Sequence, residues 1–331
     1  MAFSIKEFIL ILVSGFRLAK IAYLENNLIH FPKIRDEIND FLKQENISLD
    51  KKYFSRINSY TLPGLVTAGW LSSLHSHRLS HREIRAVLYL SVCAPFYDDL
   101  ADELHYSAAE LEQVGILKSI ARGHPFEKIF LHFFSMLCTV LPANSDFPRF
   151  SSLLTDAQAR DAGLKGMIPD REKLRSTTFN RGGYALLLFR ACIDKPFLEG
   201  EEKAVYLIGA LLQVTEDLFD IYFDTQDKIF TLANSTADIS EMKKEYDLLL
   251  AETVDEIDRV AFQKEGRIDF LRQLKLVVAR SEICFDQLLK LQERSGGVFV
   301  PVNHSRKELI CDMEKPANLL SSFVIAARMK F

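Results

Sequence analysis

An all-α fold is what this chain predicts, and three observations predict it. Apolar residues recur at helical spacing through most of the 331 residues. Glycine and proline number only 14 and 10, and long stretches contain neither, which argues against a turn-rich β architecture. At 48% hydrophobic content the chain can also bury a substantial core.

Taken in order, the first helix is expected over 2–24. Its apolar run Phe8 to Val13 is too short to span a membrane, and no small-residue cleavage site follows. It reads as an amphipathic helix, without stable membrane insertion and with peripheral contact left open. A second helix is expected over 31–45. Leu62-Pro63-Gly64 reads as a break, with periodicity resuming over 62–75. The run Ala86 to Tyr97 is almost wholly apolar and belongs to a buried helix over 80–102. Further helices are expected over 107–121, 125–140 and 148–160, with breaks at Gly123-His124-Pro125 and Pro142 to Ser145. Gly182-Gly183 is read as a break or kink ahead of 184–195. The periodicity then recurs over 201–224, 239–262, 266–294 and 306–328, with breaks at Asn234-Ser235-Thr236 and Ser295-Gly296-Gly297. No composition shift, long linker or internal repeat divides the chain, so residues 1–331 are expected to form one helical domain.

A net charge of −4 and the absence of a Lys/Arg-rich tract give no case for nucleic-acid binding. Five scattered cysteines form no CxxC pair and read as reduced thiols in a cytoplasmic protein. His75-Ser76-His77-Arg78-x-x-His81 has a metal-like spacing, but it lies at a helix boundary without cysteine and reads as a surface turn.

Two acidic patches stand out inside this apolar background: Asp98-Asp99-Leu100-Ala101-Asp102 and Gln213 to Asp224. With each helical residue advancing about 100°, Glu216, Asp217, Asp220, Asp224 and Asp227 share an arc of roughly 100°, with Lys228 at its edge. Leu211, Leu212, Leu218, Phe219, Ile221, Tyr222 and Phe223 form an apolar girdle around the rest, expected to be buried. Like charges one turn apart repel, and more so when desolvated. No basic residue interrupts the run from Glu216 to Asp227, so something cationic must offset it. Hard oxygen donors in this number point to a divalent ion such as Mg²⁺. Asp98 and Asp102 lie one turn apart and cap a buried helix in the same way.

Asp98-Asp99-x-x-Asp102 resembles the first aspartate-rich motif of class I isoprenoid synthases. Glu216-Asp217-x-x-Asp220-x-x-x-Asp224 resembles the second metal motif of terpene cyclases in spacing, with Glu216, Asp220 and Asp224 in place of the usual Asn, Ser and Glu. With Gln213 it is also similar to the second motif of chain-elongating prenyltransferases, and with Thr215 to that of squalene and phytoene synthases. The likeness is strongest to bacterial class I terpene synthases. It implies a helical bundle around a central active-site cavity, with the two acidic helices lining one end.

The resemblance further implies a cluster of Mg²⁺, three ions in number and replaceable by Mn²⁺, held by Asp98, Asp102, Glu216, Asp217, Asp220 and Asp224. Asp98, Asp99 and Asp102 are the implied catalytic carboxylates. Arg181, Lys228 and Gln213 are the candidates for holding a substrate diphosphate, with Arg175 and Arg190 as competitors. Aromatic and small residues near the motifs, Tyr89, Cys93, Ala94, Phe96, Tyr97 and Phe219, are candidates for the substrate pocket, since aromatic faces stabilise a carbocation. In elongating relatives the residues four and five before the first Asp limit chain length; here these are Ala94 and Cys93, both small, which implies room for a C20 or longer chain. The expected activity is ionisation and cyclisation of a C15 to C25 prenyl diphosphate by a monomer or homodimer. The chain lacks the Gly-Gly-Lys-Arg-type segment of elongating enzymes. Coupling of two prenyl diphosphates, chain elongation and a non-catalytic prenyl-binding role are the alternatives.

Overall fold

The computed structural model describes residues 5–162 and 170–331; the side chains of 22, 23, 102 and 159–162 lie outside the described set. All regular structure among the described residues is helical. Helix α1 (Ile5–Ala19) continues through a π-helical stretch (Lys20–His30) into α2 (Phe31–Gln44). There follow α3 (Lys51–Leu74), α4 (His81–Asp102), α5 (Ala108–Gly115), α6 (Pro125–Val140), α7 (Phe147–Ala162) and α8 (Arg171–Ala191). The remainder is α9 (Glu201–Asp227), α10 (Ile239–Arg259), α11 (Lys264–Arg294), a 3-10 turn (Pro301–Asn303), α12 (Arg306–Leu309) and α13 (Pro316–Arg328). No helix among the described residues is long and apolar enough to cross a membrane.

The helix starts follow local chemistry. Asp50 caps α3 by accepting from the Lys52 N–H at 2.9 Å. Capping boxes open α4 (Ser80 with Glu83), α5 (Ser107 with Glu110) and α6 (His124 with Glu127, Pro125 following). Helix α9 begins after Gly200 and ends at Lys228, both in the left-handed region at φ 79° and 58°.

The chain divides into two compact units. One comprises Met1–Gly15, Gly166–Gly183 and Phe197–Phe331; the other comprises Phe16–Lys165 and Tyr184–Pro196, so the boundary falls inside α8. In the first unit α9 packs on α10 and α11, and α11 on α13, around Tyr246, Phe270 and Phe285. In the second, α4 is flanked by α3 and α6 around Tyr89, Phe96 and Phe133, while α5 packs on α7.

Two expected breaks are absent, for one physical reason. Helix α3 starts at Lys51 and runs through Pro63-Gly64, and α8 runs through Gly182-Gly183. A Cβ at Gly64 would lie 2.3 Å from Ser91 Oγ of α4. At Gly182 it would lie 2.2 Å from the Gly209 carbonyl oxygen of α9. These glycines permit close helix contact rather than a turn, and periodicity alone does not separate the two uses. The expected 306–328 helix is instead interrupted between Leu309 and Pro316, and 107–121 stops at Gly115.

Candidate active site

The second acidic patch lies on the middle and last turns of α9. Its position is fixed from behind by a buried hydroxyl cluster. Thr215 Oγ1 lies 3.2 Å from the Tyr246 hydroxyl and 3.1 Å from Ser281 Oγ, and Tyr246 donates to Ser281 at 3.0 Å. This ties α9 to α10 and α11 immediately beside Glu216 and Asp217. Thr215, part of the motif, thus faces the core.

Asp217 is 6% exposed and accepts from Thr178 Oγ1 of α8 at 3.2 Å and from Gln213 Nε2 at 3.1 Å. The same Gln213 amide donates to Glu216 Oε2 at 3.1 Å, so it bridges two carboxylates. Burial raises the Asp217 and Asp220 carboxyls above the usual range. Asp224 is pushed up to about 7, first by burial and then by the charges of Asp217 and Asp220. Arg181, on α8, pulls both Asp217 and Asp224 in the other direction. Glu216, Asp217, Asp220 and Asp224 thus lie on one helix, and burial raises the last three. The close backbone contact at Gly182 and Gly209 sets Thr178 and Arg181 against α9.

Three details depart from the sequence expectation. Lys228 is the left-handed residue that terminates α9, so its side chain does not continue the helical arc. The girdle is incomplete: Leu211, Leu218 and Ile221 are buried, but Phe223 is 46% exposed beneath Arg306, 5.9 Å from its ring. Arg181 sits in an unbroken helix, so no exposed backbone N–H groups accompany it.

The first patch ends α4 in the other unit, and it is provided with partners. Asp98 accepts from the Tyr60 hydroxyl at 2.9 Å and from Gln158 Nε2 at 3.2 Å. Asp99, 1% exposed, is ion-paired with Arg56 of α3 through one oxygen, while its other oxygen is buried without a hydrogen-bond partner. The Asp102 side chain lies outside the described residues. Beyond it, Arg122 clamps the connecting loop by donating to the carbonyls of Leu104 and His105 at 3.1 and 3.2 Å. Arg122 also pairs with Glu110 at 2.6 Å and lies 4.1 Å from the Tyr106 ring centre. That pairing, with the Ser107 amide and hydroxyl, holds the Glu110 carboxyl down to about 2.

Beside the first patch lies a cavity of about 550 Å³ lined by Lys52, Tyr53, Arg56, Glu103, Leu104, His124 and Phe126. His124 Nδ1 accepts the Phe126 N–H at 3.2 Å, which leaves Nε2–H as the donor of the neutral ring. Two cations, a carboxylate, an imidazole and two aromatic rings surround one hollow, and Arg56 is already paired with Asp99. Sequence reasoning missed this wall. The available signal was Lys52, Arg56 and Tyr60 at successive i,i+4 positions, but it fell ahead of the helix expected to start at 62.

None of the six expected pocket residues lines this cavity. Phe96 packs behind it, with ring centres 6.1 Å from Tyr53 and 5.4 Å from Phe126. Tyr89 donates to Glu37 at 2.8 Å and receives Arg85. The Cys93 thiol points at the Phe130 carbonyl at 3.7 Å. Tyr97 donates to the Leu111 carbonyl at 3.2 Å. Ala94 is half-buried on α4, and Phe219 is half-buried on α9 beside Arg280.

Among the competitors, Arg175 stacks on Phe179 at 4.5 Å. Arg190 is 1% exposed and donates to the carbonyls of Lys195 and Pro196 at 3.1 Å, so it is neither a surface pair nor a substrate contact. His75 is a further partner at 3.1 Å. His77 in turn donates to buried Glu83 at 2.9 Å, and Glu83 also accepts the Asp194 N–H. The histidine turn sits at the expected helix boundary, yet two of its rings serve the interior as hydrogen-bond partners.

No protein-family model matches the chain, and no curated protein sequence does. Two solved structures are similar to it at low identity. A dehydrosqualene synthase in complex with ligand aligns over 89% of this chain and 96% of its own, at 13% identity and a TM-score of 0.44. A geranyltransferase from Legionella pneumophila aligns over 82% of this chain and 99% of its own, at 12% identity and a TM-score of 0.46.

Proposed function

We propose that this protein is a Mg²⁺-dependent enzyme that ionises a C15 to C25 prenyl diphosphate, longer chains favoured, and cyclises the resulting allylic cation to a terpene. The observation that carries the reading is the second patch: Asp217, Asp220 and Asp224 crowd one partly buried helix face, and Arg181 only partly offsets them. Desolvated like charges of this kind call for a bound cation.

The residues fit a hard divalent ion. Asp99 keeps a buried oxygen without a partner, and the α9 carboxylates are raised chiefly by burial, Asp224 also by the charges of Asp217 and Asp220. Among the described residues no three acidic, histidine or cysteine side chains form a ready-made cage. Mg²⁺ keeps several waters and takes few carboxylates alongside substrate phosphates. Glu216, Asp217, Asp220 and Asp224 would hold an ion on α9, and Asp98 and Asp102 would hold one at the end of α4. When bound, Mg²⁺ supplies Lewis-acid stabilisation of the departing diphosphate.

The chain's own residues do the rest. Arg181 places a positive charge where diphosphate charge grows, and Gln213 orients Glu216 and Asp217 for ligation. Lys228, at the end of α9, is a further cation for the diphosphate. Heterolysis of the allylic C–O bond sends the electron pair to the diphosphate oxygen; the cation closes on an internal double bond and loses a proton. Phe219, half-buried on α9, is the candidate aromatic face for that cation.

A second reading is favoured by the basic cavity. Lys52, Arg56 and His124 would receive the diphosphate of a second prenyl substrate, making the reaction a coupling or an elongation. One assay separates the readings. Purified protein is incubated with Mg²⁺ and C10 to C25 prenyl diphosphates, singly and with isopentenyl diphosphate, beside Asp98→Ala and Asp217→Ala. A cyclic product from one substrate, lost in both variants, supports cyclisation. Doubled or lengthened products, lost in Lys52→Ala, move the assignment to the second reading. Diphosphate release that both aspartate variants retain would sink both.

A further inference from the structure

Helix α1 carries apolar residues on two sides, and only one is used by the fold. The inner side is anchored: Glu7 meets Arg272 at 3.6 Å and Lys275 at 3.7 Å, Ile11 is fully buried, and Gly15 packs against Phe323 and Leu276. The outer side is exposed, with Ile5 at 69%, Ile9 at 53%, Val13 at 42% and Phe16 at 73%. At about 100° per residue these four fall within an arc of roughly 80°. Lys6 and Arg17, both exposed, border the arc on one side, about 20° and 40° beyond Val13.

The outward arc carries no carboxylate, because Glu7, the one acid of α1, is turned inward onto Arg272 and Lys275. The exposed apolar line continues into the π-helical stretch with Leu24 and Leu28, where Lys20 is paired with Glu25 at 3.6 Å. A helix anchored by one face, with a narrow apolar arc and a basic border on the other, has the form of an interfacial helix. A second copy brings the same cations and no carboxylate in its arc to pair with them, so charge disfavours it. An anionic surface meets no such repulsion, and charge complementarity selects it.

We propose that α1 docks this protein on an anionic lipid bilayer, with Ile5, Ile9, Val13 and Phe16 inserted among the acyl chains and Lys6 and Arg17 at the phosphates. The surface is independent of the carboxylate patches, so the proposal stands or falls apart from the assignment of the reaction. It delivers the protein to the phase in which long apolar molecules dissolve.

The test is co-sedimentation of the full chain with vesicles of phosphatidylcholine alone or mixed with phosphatidylglycerol. Binding to the mixed vesicles is expected, weakened by salt as exposed charges are screened. The double variant Ile9→Glu/Phe16→Glu should bind about tenfold or more weakly with an unchanged thermal melt, since both side chains are exposed. Lys6→Gln/Arg17→Gln should lose the preference for anionic vesicles. Failure of the wild-type chain to sediment with either vesicle overturns the proposal. So does a wild-type dimer in sedimentation velocity that the Ile9→Glu/Phe16→Glu variant converts to monomer, because the face is then occupied by a second copy.

Discussion

The two acidic patches are alike in sequence and differ in the groups that surround them. The first is furnished with partners from its own unit: Arg56 for Asp99, and Tyr60 and Gln158 for Asp98. Among the described residues, the second has one amide shared between Glu216 and Asp217, the Thr178 hydroxyl on Asp217, and Arg181 as a countercharge. Clustered aspartates therefore say little by themselves. What neutralises them decides whether a site is folded around its charge or held ready for a cation.

That contrast can be broken by substitution. The largest effect is expected at Gly209→Val, whose side chain would meet the Gly182 backbone 2.2 Å away; a loss of about 3 kcal/mol in urea unfolding is expected. A loss below about 1 kcal/mol would mean that α8 and α9 part freely and that the contact does not set Arg181.

Next is Arg56→Met, which strands a buried Asp99 charge; about 2 kcal/mol is expected, less than for a fully buried pair because Arg56 keeps some solvent. Adding Asp99→Asn should restore most of it, and no recovery would assign Arg56 another role. The equivalent truncation at exposed Arg181 should cost under about 0.5 kcal/mol, which separates the two patches directly.

Glu83, at the opposite end of α4, sharpens the comparison as a carboxylate with ample donors. Although burial opposes it, the Ser80 and Asp194 amides and His77 hold its carboxyl below the usual range. Its contribution is then complete above the ordinary glutamate value of 4.5 and is lost as pH falls through the depressed one. Wild type should exceed Glu83→Gln by about 1.5 kcal/mol at pH 7, with the gap closing in acid. A gap independent of pH would show that the charge is immaterial.

The smallest effect has the opposite sign. Asp224→Asn relieves repulsion and should stabilise the metal-free protein by about 1 kcal/mol or less after allowance for screening. It should also diminish the rise in melting temperature that the proposed Mg²⁺ site predicts for the wild type. A destabilised variant would show that Asp224 already has a sufficient partner.

Much of this was legible in the sequence, unevenly. The helical class followed from periodicity, and the α9 arc followed from a rotation of 100° per residue, because both depend only on local geometry. Arg181 was found as a basic residue, for the wrong reason: the adjacent glycines signalled a break, whereas they serve a contact with a residue on another helix. Phe223 was assigned to the core by its apolarity, yet the end of α9 leaves it exposed. Lys52 and His124 share a wall only because α3 and the start of α6 converge, and no spacing along the chain encodes that. Arg190 shows the same limit, since its burial depends on His75 and on carbonyls that only the folded loop presents.

The glycine pair has a consequence for how such a site can change. With hydrogen at both positions, the α8 and α9 backbones act as a fixed ruler, and even an alanine at either place collides with the opposite main chain. Neither position has a single-step route to a larger residue, because enlarging one leaves the other backbone in the way. Variation in the charge balance of the α9 patch is thereby channelled to the side chains on either side of the ruler, Thr178, Arg181 and Gln213. A library randomised at those three positions, with both glycines held, should retain folded protein while spreading in metal affinity.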